Sequence, residues 1–312
     1  MMKRERGISG CGPTHRPRSK NITCKESVLL LFCAVLLLFL PGCGSGEKAA
    51  GGSVGNEIFI SEEGPHAKVT FFNVGKGDAI LIETGEHNVL IDSGYDDTAK
   101  IILNYMKGQD IRYLDYLILT HFDKDHVGGA DWILRGVETG AVLQPDYESD
   151  SGQYLEYVET MAAKGYSPVL VTETMEFSLN NVDFLIYPPQ RESYEEEDND
   201  FSLVTSMTCG EVGVLFTGDC EKERLKELLR QEEFSLSHEV LKVPHHGRKN
   251  KNSEEFIKAV SPKAAVITGS KEKTADEEVL RALEEAGTEI YFTEDKTVTC
   301  LCDGESFQMI QE

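Results

Sequence analysis

Six consecutive residues, His121-Phe-Asp-Lys-Asp-His126, carry two imidazoles and two carboxylates. Imidazole and carboxylate together suit Zn²⁺, Mn²⁺ or Fe. The segment follows an apolar run over residues 114–119 (LDYLIL), which reads as a buried strand ending at Thr120 and His121. It precedes Gly128-Gly129, where the backbone can turn without steric cost. A tight loop at a strand end can aim alternate side chains at one point. Four potential ligands in six residues at such a position point to a metal centre rather than to a polar surface loop.

Two further segments offer what that centre lacks. Residues 214–219 (VLFTGD) end a strand with a carboxylate, and residues 240–247 (VLKVPHHG) end another with two imidazoles. In a layered α/β fold, groups at the carboxyl ends of strands converge on one edge. Alone, Asp219 would read as a helix cap. Together with the other two segments it reads as part of a binding edge.

The elements that must position these groups begin near residue 66. Short β-branched runs at 67–74, 79–84 and 89–92 are separated by Gly-rich turns. Helices are expected over 97–107, 129–136, 152–164, 222–231, 254–260 and 276–286. The 152–164 helix offers Leu155, Val158 and Met161-Ala162 as its apolar face. Further strands are expected over 138–144, 168–172, 176–179, 182–187, 202–209, 212–217, 240–243, 264–267 and 289–292, with a closing hairpin over 297–310. The acidic run 192–200 (ESYEEEDND) reads as a solvated loop.

The formal net charge of −23 is unevenly spread. Residues 1–43 hold seven Lys/Arg and two Glu, which leaves the other 269 residues with 24 basic and 52 acidic side chains, near −28. Affinity for a polyanion comes mostly from basic groups neutralising phosphates, so the balance argues against extended nucleic-acid binding. Residues 28–40 are 13 consecutive apolar residues behind a basic stretch. That is short for a membrane span and fits the apolar region of a secretory signal. Leu40-Pro-Gly-Cys43 resembles a bacterial lipoprotein cleavage box. We expect a leader over 1–43, a lipid anchor on Cys43, a flexible tether over 44–65 and an exported body facing away from the cytoplasm. An uncleaved signal anchor is the alternative. Cys209, Cys220, Cys300 and Cys302 form no C-x-x-C pair and are expected as small buried residues.

The order of segments 72–79 (FNVGKGDA), 90–94 (LIDSG), 121–126, 199–204 (NDFSLV), 216–219 (FTGD) and 241–247 (LKVPHHG) resembles the metallo-β-lactamase superfamily. Within it the chain is similar to the hydrolase domain of ComEC-type competence proteins, and also to secreted phosphorylcholine esterases. The resemblance implies an α/β fold, a four-layer αββα sandwich, over residues 66–312. It implies two divalent ions, Zn²⁺ first and Mn²⁺ second, held by His121, Asp123, Asp125, His126, a bridging Asp219 and His246. It implies Asp92 as support behind the ligands, and His245 as second choice for the late ligand or as a phosphate-contacting proton donor. The expected reaction is hydrolysis of a small or oligomeric phosphodiester by a metal-bound hydroxide that Asp125 and Asp219 orient. Arg248 and Lys249 could hold the phosphate. Three departures stand out: Asp123 replaces the motif's second His, no His lies between 126 and 238, and Arg248 follows His-His-Gly where Ser is usual. Asn199 occupies the region of the missing His. The competing functions are a β-lactam or ester hydrolase and a surface lipoprotein that binds a ligand through a degenerate metal site.

Overall fold

The computed structural model of the chain describes residues 66–311, apart from Glu196 and Lys273. The expected leader, Cys43 and the tether lie outside the described residues. The strands in chain order are β1 (Ala67–Phe71), β2 (Ile80–Thr84), β3 (His87–Ile91), β4 (Tyr113–Ile118), β5 (Glu138–Gln144) and β6 (Val169–Leu170). They continue with β7 (Met175–Leu179), β8 (Val182–Tyr187), β9 (Val204–Cys209), β10 (Val212–Phe216) and β11 (Val240–Lys242). The last four are β12 (Ala264–Ile267), β13 (Glu289–Phe292), β14 (Val298–Cys302) and β15 (Phe307–Gln311). One sheet runs β15-β14-β1-β2-β3-β4-β5-β6 and the other β13-β12-β11-β10-β9-β8-β7. The last chain segment thus returns to pair with the first strand, Val69 opposite Cys300. Each sheet is antiparallel at one end and parallel at the other, through β3-β4-β5-β6 and β10-β11-β12-β13.

Strand side chains alternate between faces. Val69, Phe71, Ile80 and Ile82 of the first sheet therefore meet Val182, Phe184, Val214 and Phe216 of the second in one inter-sheet core. The opposite faces are apolar too, and helices cover them. On the first sheet lie α1 (Ala99–Gly108), α2 (Ala130–Gly136) and α3 (Gly152–Lys164), through Ile102, Ile133 and Tyr157 among others. After the short α4 (Glu197–Asp200) come α5 (Lys222–Leu228), α6 (Ser253–Val260) and α7 (Glu277–Glu285), which bury Leu225, Phe256 and Leu283 against the second sheet. The result is the expected four-layer αββα sandwich.

Two sequence expectations need correction. The buried face of α3 is Tyr154, Tyr157, Thr160 and Met161, while Leu155 and Val158 are 55% and 41% exposed. The helix is turned because Tyr154 packs on Phe122 at 4.5 Å between ring centroids and the Tyr157 hydroxyl donates to Gln144 Oε1. Aromatic rings with a polar tip outweigh smaller aliphatic side chains here. The acidic run is not solvated throughout. Glu192 and Glu195 are exposed, but Tyr194 and Asp200 are buried. Asp200 Oδ1 accepts from the backbone N–H groups of Glu221 at 2.8 Å and Arg224 at 3.1 Å, capping the start of α5. The four body cysteines are buried free thiols.

Candidate metal centre

Strand ends deliver the polar side chains to one edge. Asp92 follows β3, Thr120 and His121 follow β4, Asp219 follows β10, His245 and His246 follow β11, and Thr268 follows β12. Asp78 comes from the loop joining β1 and β2. Loop closure depends on glycine. A Cβ at Gly129 would lie 2.4 Å from Ser93 O, and one at Gly77 would lie 2.6 Å from Asp125 O. The backbone is strained where it matters: Asp92, His245 and His246 have φ of 56°, 46° and 54°, which non-glycine residues rarely adopt. Such strain persists only where surrounding contacts enforce it.

Those contacts fix each ring. His126 Nδ1 lies 2.8 Å from Asp92 Oδ2. The Thr120 hydroxyl donates to Asp92 Oδ2 at 2.7 Å, which leaves its oxygen free to accept from His121 Nδ1 at 3.0 Å. On the other side, the Thr268 hydroxyl donates to Asp78 Oδ1 at 2.6 Å, and His246 Nδ1 lies 3.1 Å from Thr268 O. Two Thr–Asp pairs therefore stand behind the imidazoles and hold the proton on Nδ1, which turns the Nε2 lone pairs inward.

The three Nε2 atoms of His121, His126 and His246 are buried and have no aligned hydrogen-bond partner. Buried polar atoms are seldom left so. They surround Asp219, whose Oδ1 lies 3.3 Å from His126 Nε2 and whose Oδ2 lies 3.0 Å from His246 Nε2. Asp125 Oδ2 is 3.6 Å from His246 Nε2, and Asp123 Oδ2 is 4.0 Å from His121 Nε2. Candidate ligand atoms of His121, His126 and Asp219 all lie within 4.8 Å of one another, as do those of Asp78, His126 and His246. Orphaned imidazole nitrogens facing carboxylates fit a divalent cation. Of the six residues expected as ligands, His121, His126, Asp219 and His246 fall in these groups together with Asp78, and Asp125 and Asp123 stand beside them. Burial, then the neighbouring His126, holds His121 well below its ordinary range, so it stays a neutral donor.

Three cations, Lys242, Lys76 and Arg224, and two acids, Asp78 and Glu221, were not singled out in the sequence. Lys242 is fully buried on β11; its ammonium pairs with Asp78, donates to Gly218 O at 2.9 Å and lies 3.5 Å from Asp219 Oδ1. Burial opposes its charge, but Asp78 and Asp219 overcome that and raise its pKa above the usual lysine range. Lys76 Nζ lies 2.6 Å from Asp125 Oδ2. Asp219 resists burial through His246, His126 and Lys242, which hold its carboxyl well below the ordinary range. A lysine in a strand that otherwise reads as continuous apolar core was the available signal for Lys242. Arg224, also fully buried, serves the fold instead, donating to Ser202 O and Tyr187 O.

The remaining predicted residues lie at the rim. His245 Nε2 is 3.8 Å from Asp219 Oδ2, and its Nδ1 is 2.7 Å from Glu221 Oε1. Asn199 reaches the site through Glu221, to which its amide donates at 3.1 Å. Arg248 is exposed, and Lys249 turns away to Glu278 at 2.8 Å. Tyr95 stands near the acidic cluster, and burial, then Asp125, pushes its hydroxyl up to about 12.

The sequence profile of the metallo-beta-lactamase superfamily matches residues 72–270, close to two thirds of the chain. The chain belongs to that superfamily. It is similar to ComE operon protein 3 of Bacillus subtilis (strain 168), 27% identical over 230 residues that make up 68% of this chain and 29% of the relative. It is similar to competence protein ComA of Neisseria gonorrhoeae, 28% identical over 248 residues, 77% of this chain and 33% of the relative. The superfamily member therefore spans about a third of the length of these curated relatives. Among solved structures, the metallo-beta-lactamase fold protein YhfI of Bacillus subtilis aligns with TM-score 0.49 and 12% identity, covering 74% of this chain and 96% of that one.

Proposed function

We propose that this protein is a metal-dependent phosphodiesterase acting on a small or oligomeric phosphoester. The observation that carries the reading is the convergence of three orphaned Nε2 atoms, His121, His126 and His246, on the carboxylate of Asp219. His121, Asp123, Asp125, His126, Asp219 and His246 would hold one or two divalent ions, Zn²⁺ or Mn²⁺; the carboxylate share of the set suits the harder ion. When bound, the metal supplies a Lewis acid that lowers the pKa of water and polarises a phosphoryl oxygen.

The chain's own residues supply the rest. Asp219, within 3.3 Å of His126 Nε2 and 3.0 Å of His246 Nε2, accepts hydrogen bonds from an attacking water and orients it. Asp92 and Asp78, through Thr120 and Thr268, keep the imidazole protons on Nδ1. His245, at the rim, gives a proton from Nε2 to the leaving oxygen. Arg248, exposed and two residues after His246, would meet a non-reacting phosphate. The carboxylate Asp123 in place of an imidazole and the absence of His between 126 and 238 favour phosphoester over lactam chemistry.

The test is a substrate panel on the full chain with Zn²⁺ or Mn²⁺: bis-p-nitrophenyl phosphate, single-stranded DNA, a phosphorylcholine ester and a chromogenic β-lactam. Turnover of phosphodiesters alone is expected. Asp125→Ala should abolish it, by about 10³-fold or more where a ligand and orienting group is lost together. No turnover with either metal would sink the enzyme reading, and full activity in Asp125→Ala would sink the assignment of the site.

A further inference from the structure

His245 is buried at the metal edge yet stands outside both groups of mutually close ligand atoms. Its backbone is pinned in the left-handed region, with its N–H donating to Gly218 O at 3.2 Å. Its ring is pinned by one acid. Glu221 Oε1 lies 2.7 Å from Nδ1, a buried nitrogen with no other aligned partner. Glu221 is itself held at both ends. Its carboxylate accepts from the Asn199 amide at 3.1 Å, and its backbone N–H donates to Asp200 Oδ1 at 2.8 Å. Asn199 and Asp200 are consecutive, so one short turn fixes both the main chain and the side chain of Glu221. The acid is not needed to start α5, because Asp200 already accepts from the N–H groups there.

We propose that Glu221, steadied by Asn199, is the positioning residue that keeps His245 Nε2 turned toward Asp219 and the departing oxygen. The inference rests on the phosphodiesterase reading and on His245 as proton donor. In the step concerned, a water oxygen forms the new P–O bond and releases a proton to solvent. The P–O bond to the leaving group breaks, its electron pair goes to the leaving oxygen, and that oxygen takes the proton from His245 Nε2, which solvent then restores. A nitrophenolate leaves without a proton; an alkoxide does not.

The experiment compares the full chain, metal-loaded, with His245→Ala, Glu221→Ala, Glu221→Gln and Asn199→Ala on two substrates. One is bis-p-nitrophenyl phosphate and the other a dinucleoside phosphate with an alkoxide leaving group. Metal content and thermal midpoint are measured on every variant. For His245→Ala the loss of kcat on the dinucleoside should exceed the loss on the nitrophenyl ester by about 10²-fold. Glu221→Ala should reproduce that bias at about tenfold, with wild-type metal content, and Glu221→Gln should recover most of it because it keeps the oxygen that faces Nδ1. Asn199→Ala should show the same bias more weakly. If His245→Ala is biased but Glu221→Ala loses both substrates equally, or loses metal, Glu221 is structural and the inference falls while the functional reading stands. If His245→Ala shows no leaving-group bias, the proton-donor role falls and takes this inference with it.

Discussion

At the scale of single residues, the centre is governed by charge balance in a buried space. Asp78, Asp92 and Asp219 are at most 1% exposed, and Lys242 at 0% is the cation that touches two of them. Removing one member of a buried ion pair leaves the other uncompensated, at about 3–5 kcal/mol. Lys242→Met should therefore lower stability by that order in urea unfolding of the metal-free chain. Adding Asp78→Asn to it removes the stranded charge and should recover at least half of the loss. An additive double mutant would mean that the Lys242–Asp78 pair contributes nothing of its own.

At the scale of elements, the turn carrying Asn199 and Asp200 links the site to the second sheet's helices. Burial pushes the Asp200 carboxyl up to about 6, against the backbone N–H groups of Arg224 and Glu221 that pull it down. A carboxyl raised in the folded state stabilises the fold below its unfolded pKa. That contribution is lost as pH rises through the folded pKa, here across the window from about 4 to about 6. Asn at this position keeps an acceptor oxygen and never ionises. Asp200→Asn should thus gain stability relative to the native chain between pH 4 and pH 8, by about 1–2 kcal/mol. Thermal midpoints of the two proteins at both pH values check this; a constant difference would show that Asp200 does not titrate in that window. The turned face of α3 belongs to this scale as well. Phe122, inside the metal motif, packs on Tyr154, so the helix that covers the first sheet also braces the loop that carries His121 and Asp123.

At the scale of the whole molecule, the two sheets meet so that acids from four separate chain segments share one edge. Asp78, Asp92, Asp123, Asp125 and Asp219 outnumber Lys76 and Lys242 there. A divalent cation relieves that excess, and a ligand that binds only the folded state stabilises it by about 4 kcal/mol at a thousand times its dissociation constant. For a domain of this size that corresponds to a melting shift of about 10 °C. Chelation should lower the midpoint by that order, re-addition of Zn²⁺ or Mn²⁺ should restore it, and Asp219→Ala should respond to neither treatment. Equal midpoints with and without chelator in the native chain would argue against a resident metal.

The sequence by itself marked out most of the candidate ligand set. His121, Asp123, Asp125 and His126 are local in the chain, and a strand-ending Asp219 or His246 is legible because nearly continuous apolar runs stop just before them. It also determined the layered class, since the strand and helix patterns are themselves local. What it could not determine is which distant side chains stand behind those ligands. Lys242 facing Asp78, Thr268 behind His246 and Glu221 beside His245 are pairings of residues 22 to 190 positions apart or fixed by strained backbone. The sign of the Asp200 shift and the rotation of α3 likewise follow from what each packs against. Local propensity sets the elements, but burial and partner, which decide protonation and ring orientation, exist only once two sheets have closed on each other.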